Sequence, residues 1–407
     1  MSYNILKVNE SVTQDDSIVS YQYHTHQPYS STTLNNNDEI RIPIQTQDLY
    51  TLPSQSYLYI EGKLTKSDNT ASADVQFVNN GVAFLFDEIR YEMGGVIVDR
   101  VRNPGVTSTM KGYISFTPTE ANGLHNAGWH DTKNPSLIDG NGNFNVCIPL
   151  KMLMGFAEDY HKIVMNVKQE LVLIRNNSDF NAIHSANETK DSYKITLNKV
   201  LWKMPHISVN DSQKLRLLKN FENNRDLPIA FRSWELHEYP ELQQTKNHTW
   251  AVKSSNQLEK PRYIIIGFQT DVKNHITKNM SRFQHCNLTN LKVYLNSEVY
   301  PYDNLNIDFT NNRYAVLYEM YTQFQKSYYY KAFSEPTYYP ILFKNNAPLV
   351  VIDCSRQGED ILKGGAVDIR IEFETSEAIP AKTTAYCLIL HDKLVKYNPL
   401  TSTIRVL

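Results

Sequence analysis

The chain has few cysteines, and their spacing excludes several kinds of site. Its four cysteines, Cys147, Cys286, Cys354 and Cys387, lie far apart, and no Cys-x-x-Cys pair occurs. Structural zinc sites and dithiol redox motifs need cysteines paired at short spacing. We therefore expect buried, reduced thiols, as is usual for an intracellular protein.

Long apolar runs are also missing. No stretch approaches the roughly 18 apolar residues that a membrane-spanning helix needs. The N-terminus begins Met-Ser-Tyr-Asn and shows no apolar run followed by a cleavage site. The sequence thus predicts neither a membrane span nor a secretion signal.

Neither sign of charge dominates the chain. Lys and Arg together number 41, Asp and Glu number 43, and the net charge is −2. A protein that coats nucleic acid needs an excess of cations to neutralise phosphates. We expect little direct nucleic-acid binding, because no block of like charges forms a basic arm.

Glycine is scarce, with 15 residues, and the glycine-based catalytic motifs are missing with it. No Gly-x-x-x-x-Gly-Lys-Ser/Thr phosphate loop occurs, which argues against a P-loop nucleotidase. No Gly-x-Ser-x-Gly nucleophile elbow occurs, which argues against the common hydrolase arrangement.

What the sequence does contain is the two-residue period of β-strands, from about residue 35 onward. The cleanest run is Val367, Ile369, Ile371 and Phe373, which alternate with charged residues and predict one dry and one solvated face. Another alternating stripe starts at Ile163. Helical spacing occurs in only three segments, 107–116, 211–221 and 314–324. This pattern favours an all-β architecture.

One β-rich unit occurs twice. Asp87–Val101 reads DEIRYEMGGVIVDRV and Thr289–Asp303 reads TNLKVYLNSEVYPYD, at an offset of 202 residues. Gly94-Gly95 in the first copy aligns with Asn296-Ser297 in the second, and both pairs suit a two-residue hairpin turn. Flanking strands and a following helix repeat in the same order. Chance similarity between alternating segments does not explain an ordered series.

The repeat predicts the fold class and the domain boundaries. We expect an all-β protein of two tandem eight-stranded jelly rolls, with a few short helices in the connections between strands. The predicted parts are an N-terminal arm (1–35), a first jelly roll (36–208), a linking helix (209–226), a second jelly roll (227–392) and a C-terminal arm (393–407).

Several groups of polar residues were considered as sites. His24-Thr25-His26 resembles the ligand pair of a cupin metal site, but no carboxylate follows until Asp38, and a surface or interface pair is the better interpretation. His161 has no sequence neighbour with which to share a metal. We predict no catalytic, cofactor-binding or metal-binding residue, and no enzyme.

Two further charged groups are interpreted as solvent-exposed surface. Glu158 and Asp159 are adjacent, and neighbouring side chains on a strand or turn point apart, so a solvated bend is expected rather than an acid/base pair. The linking helix has a basic side formed by Lys214, Arg216 and Lys219. We expect this side to face solvent; the alternative is contact with a genome or a neighbouring subunit.

Three segments resemble a known family. They are Phe144–Asp179 (FNVCIPLKMLMGFAEDYHKIVMNVKQELVLIRNNSD), Leu291–Tyr302 (LKVYLNSEVYPY) and Leu52–Leu64 (LPSQSYLYIEGKL). They are similar to segments of the double jelly-roll major capsid proteins of tailless DNA viruses, in the Polinton/Maverick-like or adintovirus-like group. The resemblance covers most of residues 35–392. Its motifs are packing and turn motifs, specific for the fold rather than for a site.

The resemblance implies a function. A capsid protein of this family forms a homotrimer of six similar rolls, a pseudo-hexagonal capsomer that tiles an icosahedral shell. It implies a virion component, assembled in the nucleus or cytoplasm of a host cell, with minor capsid or penton proteins as partners. A separate core protein or counterions would then neutralise the genome.

The C-terminal arm carries its own expectation. Ile404, Val406 and Leu407 would be costly in water, so we expect the tail to dock on a neighbouring subunit. Two other functions stay open: a capsid-derived cellular protein, and a two-domain jelly-roll binding protein or cupin-like enzyme. The last would stay small in solution and bind metal or sugar.

Overall fold

The structure is a computed structural model that describes residues 17–30, 32–45, 50–71, 74–130, 137–185, 193–222, 226–254, 260–356 and 367–407. The strands in its first half are β1 (Ile18–His26), β2 (Glu39–Ile44), β3 (Tyr50–Thr51), β4 (Tyr57–Lys66), β5 (Gln76–Phe77), β6 (Phe86–Met93), β7 (Val96–Arg102), β8 (Asn143–Pro149), β9 (Gln169–Arg175), β10 (Ile183–His184) and β11 (Tyr193–Val209).

The second half repeats the pattern at similar spacing. Its strands are β12 (Leu227–Tyr239), β13 (Asn247–Ser254), β14 (Lys260–Thr270), β15 (Leu288–Leu295), β16 (Glu298–Tyr300), β17 (Val350–Asp353), β18 (Asp368–Thr375), β19 (Thr383–Asn398) and β20 (Thr403–Val406). The α-helices are α1 (Pro104–Ser115), α2 (Pro118–Gly123), α3 (Gly155–Asp159), α4 (Asp211–Glu222), α5 (Ala315–Tyr329) and α6 (Pro340–Asn346).

Each half folds into two sheets built on four-strand paths in the same order, to which β3 and β20 each add a fifth strand, while β5 and β10 form a separate two-stranded sheet. The first half has the paths β1-β11-β4-β8 and β2-β9-β6-β7, and the second has β12-β19-β14-β17 and β13-β18-β15-β16. All the pairings in these paths are antiparallel. Corresponding strands hold corresponding places, so the predicted architecture of two tandem eight-stranded jelly rolls is confirmed.

The period-two pattern explains why the sheets pack. In β18, Ile369, Ile371 and Phe373 are buried while Asp368, Arg370 and Glu374 stay exposed, so one face enters the core. In β14 the run Ile264–Ile266 is buried throughout. The inner faces of each pair of sheets interdigitate, and the buried apolar residues of both rolls join in one continuous cluster.

The predicted hairpin is confirmed in both copies. β6 and β7 pair across Gly94 and Gly95, whose φ angles of 53° and 81° require residues that tolerate the left-handed region. β15 and β16 pair across the second turn, where Asn296 has φ 52°. The three predicted helices are also present as α1, α4 and α5.

The predicted N-terminal arm contributes a strand. Residues 1–16 lie outside the described residues, but Ile18–His26 pairs with β11 from Ile18 opposite Val209 to His26 opposite Trp202. It therefore takes the place in the first roll that β12 takes in the second. Most of its side chains are exposed, so this segment lacks the alternation of apolar and polar residues from which a strand is predicted.

The C-terminal arm is also part of a sheet. β19 continues past residue 392 to Asn398, and β20 turns back to pair with it, with Ile404 opposite Tyr397. Ile404 is buried within the chain itself, so the prediction that this residue needs a neighbouring subunit is wrong. Val406 and Leu407 remain exposed.

The stripe predicted to begin a strand at Ile163 is shorter than its pattern suggests. The strand begins only at Gln169, because Asn166 has φ 52° and turns the chain. Met165 and Val167 of the stripe are buried all the same, while Asn166 and Lys168 between and after them are exposed, so the alternation reflects core contacts of a bend. In the described residues, no helix is long and apolar enough to cross a membrane.

Candidate functional site at the junction of the two rolls

The two rolls meet along a line of helices and one strand. α1 and α3 come from the first roll, and they pack against α5 and β12 of the second. Because the rolls are covalently joined only through the segment after β11, these contacts determine whether they behave as one body. We call the polar groups among them the junction.

A buried ion pair lies at the centre of the junction. Lys111 on α1 is only 3% exposed, and its Nζ lies 2.9 Å from Glu158 Oε1 at the end of α3. Lys111 Nζ also donates to Ser115 Oγ at 2.9 Å and to Tyr329 Oη at 2.7 Å. Tyr328 donates to Glu158 Oε2 at 2.7 Å, so both partners are satisfied by groups from both rolls.

Aromatic rings enclose this ion pair. The Lys111 ammonium lies 4.9 Å from the Trp234 ring centroid, 4.4 Å from that of Tyr328 and 5.0 Å from that of Tyr329. Burial lowers the pKa of Lys111, and Glu158 opposes that shift. Burial and then the charge of Glu158 raise the pKa of Tyr329 well above its usual range, which keeps the phenol protonated as a donor.

A second ion pair lies beside the first. Arg232 on β12 grips Asp159 at the end of α3 through Nε at 2.8 Å and Nη2 at 2.6 Å. Its guanidinium carbon stacks 3.5 Å from the Tyr328 ring centroid, and Nη1 donates to the Tyr328 carbonyl at 2.9 Å. Burial by itself lowers the pKa of Arg232, but the Asp159 hydrogen bonds and the nearby negative charges together outweigh it and raise the pKa. The planar fork suits this bidentate geometry.

The backbone of α3 approaches β12 closely at one point. A Cβ added to Gly155 would lie 1.8 Å from the Arg232 carbonyl oxygen, so only glycine fits. The fully buried Asp99 of β7 bridges the same contact, accepting from the Phe156 amide at 2.9 Å and from Ser233 Oγ at 2.7 Å.

Further contacts extend the junction to both ends of the rolls. Within α1, Tyr113 donates to the Ser281 carbonyl at 2.8 Å, and Tyr321 of α5 donates to the Tyr113 carbonyl at 2.9 Å. At the opposite end, Asn166 of the first roll donates to the Pro399 carbonyl at 2.7 Å and accepts from Ser402 at 3.1 Å. The chain segment before β20 thus ties the second roll to the first.

The interpretation of Glu158 and Asp159 as a solvated bend is wrong. The two side chains do point apart, as expected, but each enters a largely buried ion pair with a different partner. Lys111 and Arg232 lie 47 and 73 residues away from them, so no local pattern could have shown the pairing.

The histidine pair lies on β1 and gains a third member. His26 Nε2 is 3.0 Å from His206 Nε2 on β11, and the His24 ring stacks on His206 with centroids 4.3 Å apart. Burial, and then the charge of neighbouring imidazoles, lower the pKa of His26 and His206 to about 4. Sequence reasoning missed His206 because the contact spans 180 residues.

The other candidate residues, His161 and the cysteines, do not come together in a site. His161 is exposed, all four cysteines are free, and Cys354 and Cys387 are buried. Among the described residues, no group of three or more His, Cys, Asp or Glu side chains is placed to hold a metal ion. A groove of about 1070 Å³ beside the junction is lined by ion-paired side chains such as Arg262 and Asp392, which are 2.5 Å apart.

Comparison with known proteins places this geometry in a family. A comparison with curated sequences found no match. The fold matches a chain of the Sputnik virophage (TM-score 0.62, 10% identity, covering 100% of this chain and 92% of that one). It also matches the major capsid protein of Faustovirus, with a TM-score of 0.58 and 9% identity, covering 96% of this chain and 92% of that one. The match to the mavirus major capsid protein has a TM-score of 0.56 and 11% identity, covering 98% of this chain and 92% of that one. Residues 75–395 match the double jelly roll-like domain, and the chain therefore belongs to that family.

Proposed function

We propose that the chain is a major capsid protein, which forms trimers with a pseudo-hexagonal outline and then an icosahedral shell. The observation that carries the proposal is the duplication: two rolls with identical strand order, held together by a buried junction. Solved structures of similar fold include capsid proteins of Faustovirus and mavirus, which supports the same role here.

The duplication has a geometric use. Three chains with two like rolls each present six similar units, so a threefold trimer can pack among six neighbours. A rigid junction is needed for this, because rolls that move independently would not hold a hexagonal outline. In this proposal residues 36–208 and 227–392 supply most of the two rolls, joined by 209–226, and the predicted arms complete them with β1, the end of β19 and β20.

The working parts of such a protein are surfaces, so we propose no enzymatic activity. Its first partner is itself, followed by minor capsid or penton proteins, and its location is the virion, after assembly in the nucleus or cytoplasm of a host cell. With a net charge of −2, the chain needs other proteins or counterions to neutralise a genome.

The test is to image the expressed full chain. We expect mass photometry to show particles of three chains of 47.0 kDa each, and negative-stain electron microscopy to show hexagonal outlines that tile at higher concentration. Replacing Arg232 with Glu places two carboxylates against each other in the junction and should abolish the outlines, whereas replacing the exposed Arg370 should not. A wild-type chain that stays monomeric at all concentrations contradicts the proposal.

A further inference from the structure

One end of the molecule collects exposed apolar side chains. The chain leaves the first roll at Val209, the last residue of β11, and enters the second at Leu227, the first residue of β12. Ile18 pairs with Val209, which places the start of β1 at this end. Tyr397 pairs with Leu227, which places the turn containing Leu400 there too. We call this surface the linker end.

The helix that crosses the linker end directs leucines outward. Leu215 is 63% exposed and Leu218 is 39% exposed, and residues three apart share one face of a helix. Gln213 and Leu217, four apart, are half-buried and mark the face that packs on the protein. The leucines therefore point away from both rolls.

Exposed apolar residues also lie near both ends of the linker that contains α4. Ile18 and Val19 are 52% and 67% exposed, and the Asn210 amide at the start of the helix donates to the Ser17 carbonyl at 3.1 Å. Leu400 is 59% exposed at the other end, where Asn398 donates to Asp226 at 3.1 Å. Because a helix rises about 1.5 Å per residue, the strip is roughly 20 Å long.

Cations surround the strip. Lys214 lies four residues before Leu218, and Lys219 lies four residues after Leu215, so each flanks the leucine face. The exposed cations of the linker end are Lys168, Lys214, Arg216, Lys219, Lys396 and Arg405. Among the described side chains of this surface, the exposed acids Asp211 and Asp226 oppose them, which leaves an excess of positive charge there.

We propose that the linker end binds the surface of an anionic lipid bilayer, with Leu215 and Leu218 entering the headgroup layer and the flanking cations meeting lipid phosphates and carboxylates. A helix with an outward apolar face bordered by Lys and Arg has the chemistry of an interfacial helix. The extended strip suits a broad, laterally uniform surface. The positive excess favours anionic lipid over a second copy of this surface, which would repel it.

The experiment is flotation of the full chain with vesicles of phosphatidylcholine alone or with about one third phosphatidylserine. We expect binding to the anionic vesicles only, and weaker binding when salt is raised from about 0.1 M to about 0.5 M. Replacing both Leu215 and Leu218 with Gln should reduce binding about tenfold, because two partly buried leucines are lost from the bilayer.

The matched control is Phe333→Gln. Phe333 is also largely exposed, but it lies outside α4, near Lys331, whose Nζ contacts Glu120 of α2. This variant should bind as the wild type does, and thermal unfolding and mass photometry should show all variants folded with the same subunit number. Equal flotation of the double Gln variant, no flotation of the wild type, or leucine-dependent association of chains without lipid would each overturn the proposal. None of these outcomes depends on whether trimers form.

Discussion

The first strands of the two rolls hold the same place in the sheet order but have different surroundings. β1 pairs with β11 at an outer edge, and most of its side chains are exposed. β12 pairs with β19 and also packs on α1, α3 and β7 of the first roll, which buries Trp234 and Ser233. Duplication fixed the topology of both strands, whereas the neighbouring roll determines which one is buried.

This difference predicts which substitutions disturb the whole molecule and which act only locally. Changes at β12 and its partners should disturb both rolls together, because the junction shares its hydrogen bonds between them. Changes at β1 or at the tail should stay local. The following predictions run from the largest expected effect to the smallest.

Replacing Lys111 with Met should give the largest loss. It leaves Glu158 largely buried without its cation, and breaking such a pair costs about 3–5 kcal/mol. Urea unfolding monitored by tryptophan fluorescence measures the loss, since Trp234 lies against Lys111. Lys331→Met is the matched control, because its pair with Glu120 is more exposed than the Lys111 pair and should cost less than about 1 kcal/mol. Equal losses in the two variants would contradict a special role of the junction.

Replacing Gly155 with Ala should separate α3 from β12. The added methyl group meets the Arg232 carbonyl oxygen, and such overpacking costs about 1–3 kcal/mol. Hydrogen exchange should rise in both α3 and β12. Gly123→Ala, where a Cβ meets nothing within 4 Å, should change neither stability nor exchange. Unchanged exchange in β12 of the Gly155 variant would show that the close approach does not hold the rolls together.

Acid should loosen β1 but not β12. The pKa values of His26 and His206 lie at about 4 in the fold and near 6.5 when the strand is released, so the released state binds protons more tightly. The stability is therefore complete above about pH 6.5 and is lost as pH falls towards about 4. Hydrogen exchange of residues 18–26 between pH 7 and pH 5, corrected for intrinsic rates, measures this.

The control for the acid effect removes the titrating ring but keeps its stacking. His206→Phe should flatten the pH dependence of exchange in β1, since the stacked pair with His24 can be retained. If this variant loosens with acid as the wild type does, the histidines are not the cause.

Replacing Ile404 with Ala should have the smallest effect. The side chain packs near Gly94 at the margin of the core, so we expect a loss below the roughly 2–5 kcal/mol of a fully buried Ile→Ala change. Limited proteolysis at the β20 pairing should quicken, with β12 unaffected. Deleting residues 400–407 extends the test: we still expect impaired shell assembly with folded trimers, because Val406 and Leu407 are exposed in the single chain. Normal shells from the deletion would refute a role of the tail in assembly.

The sequence predicted the features that local patterns encode. The alternation in β18, the glycine turn after β6 and the apolar stripe of α5 each depend on residues within one turn or strand of one another. The order of the two rolls followed because these local signals recur at a near-constant offset.

The rest depends on contacts that no local pattern carries. β1 has no apolar face because most of its side chains meet solvent, whereas those of β12 meet the other roll, so its period gave no strand signal. The stripe at Ile163 gave a false signal, because side chains of a bend at Asn166 also alternate between core and solvent. The junction joins Glu158 and Asp159 to residues 47 and 73 positions away, and their burial exists only once two rolls are packed together.

The pairing of Ile18 with Val209 also means that β1 is synthesised well before the strand with which it pairs. A ribosome adds about 5–20 residues per second, so β1 emerges about 10–40 seconds before its partner strand. Through that interval the tyrosines of β1 and the unsatisfied edge of β4 are available to other chains. Since sheets built from distant pairings also fold slowly, a nascent chain of this kind should depend on chaperones far more than its final stability suggests.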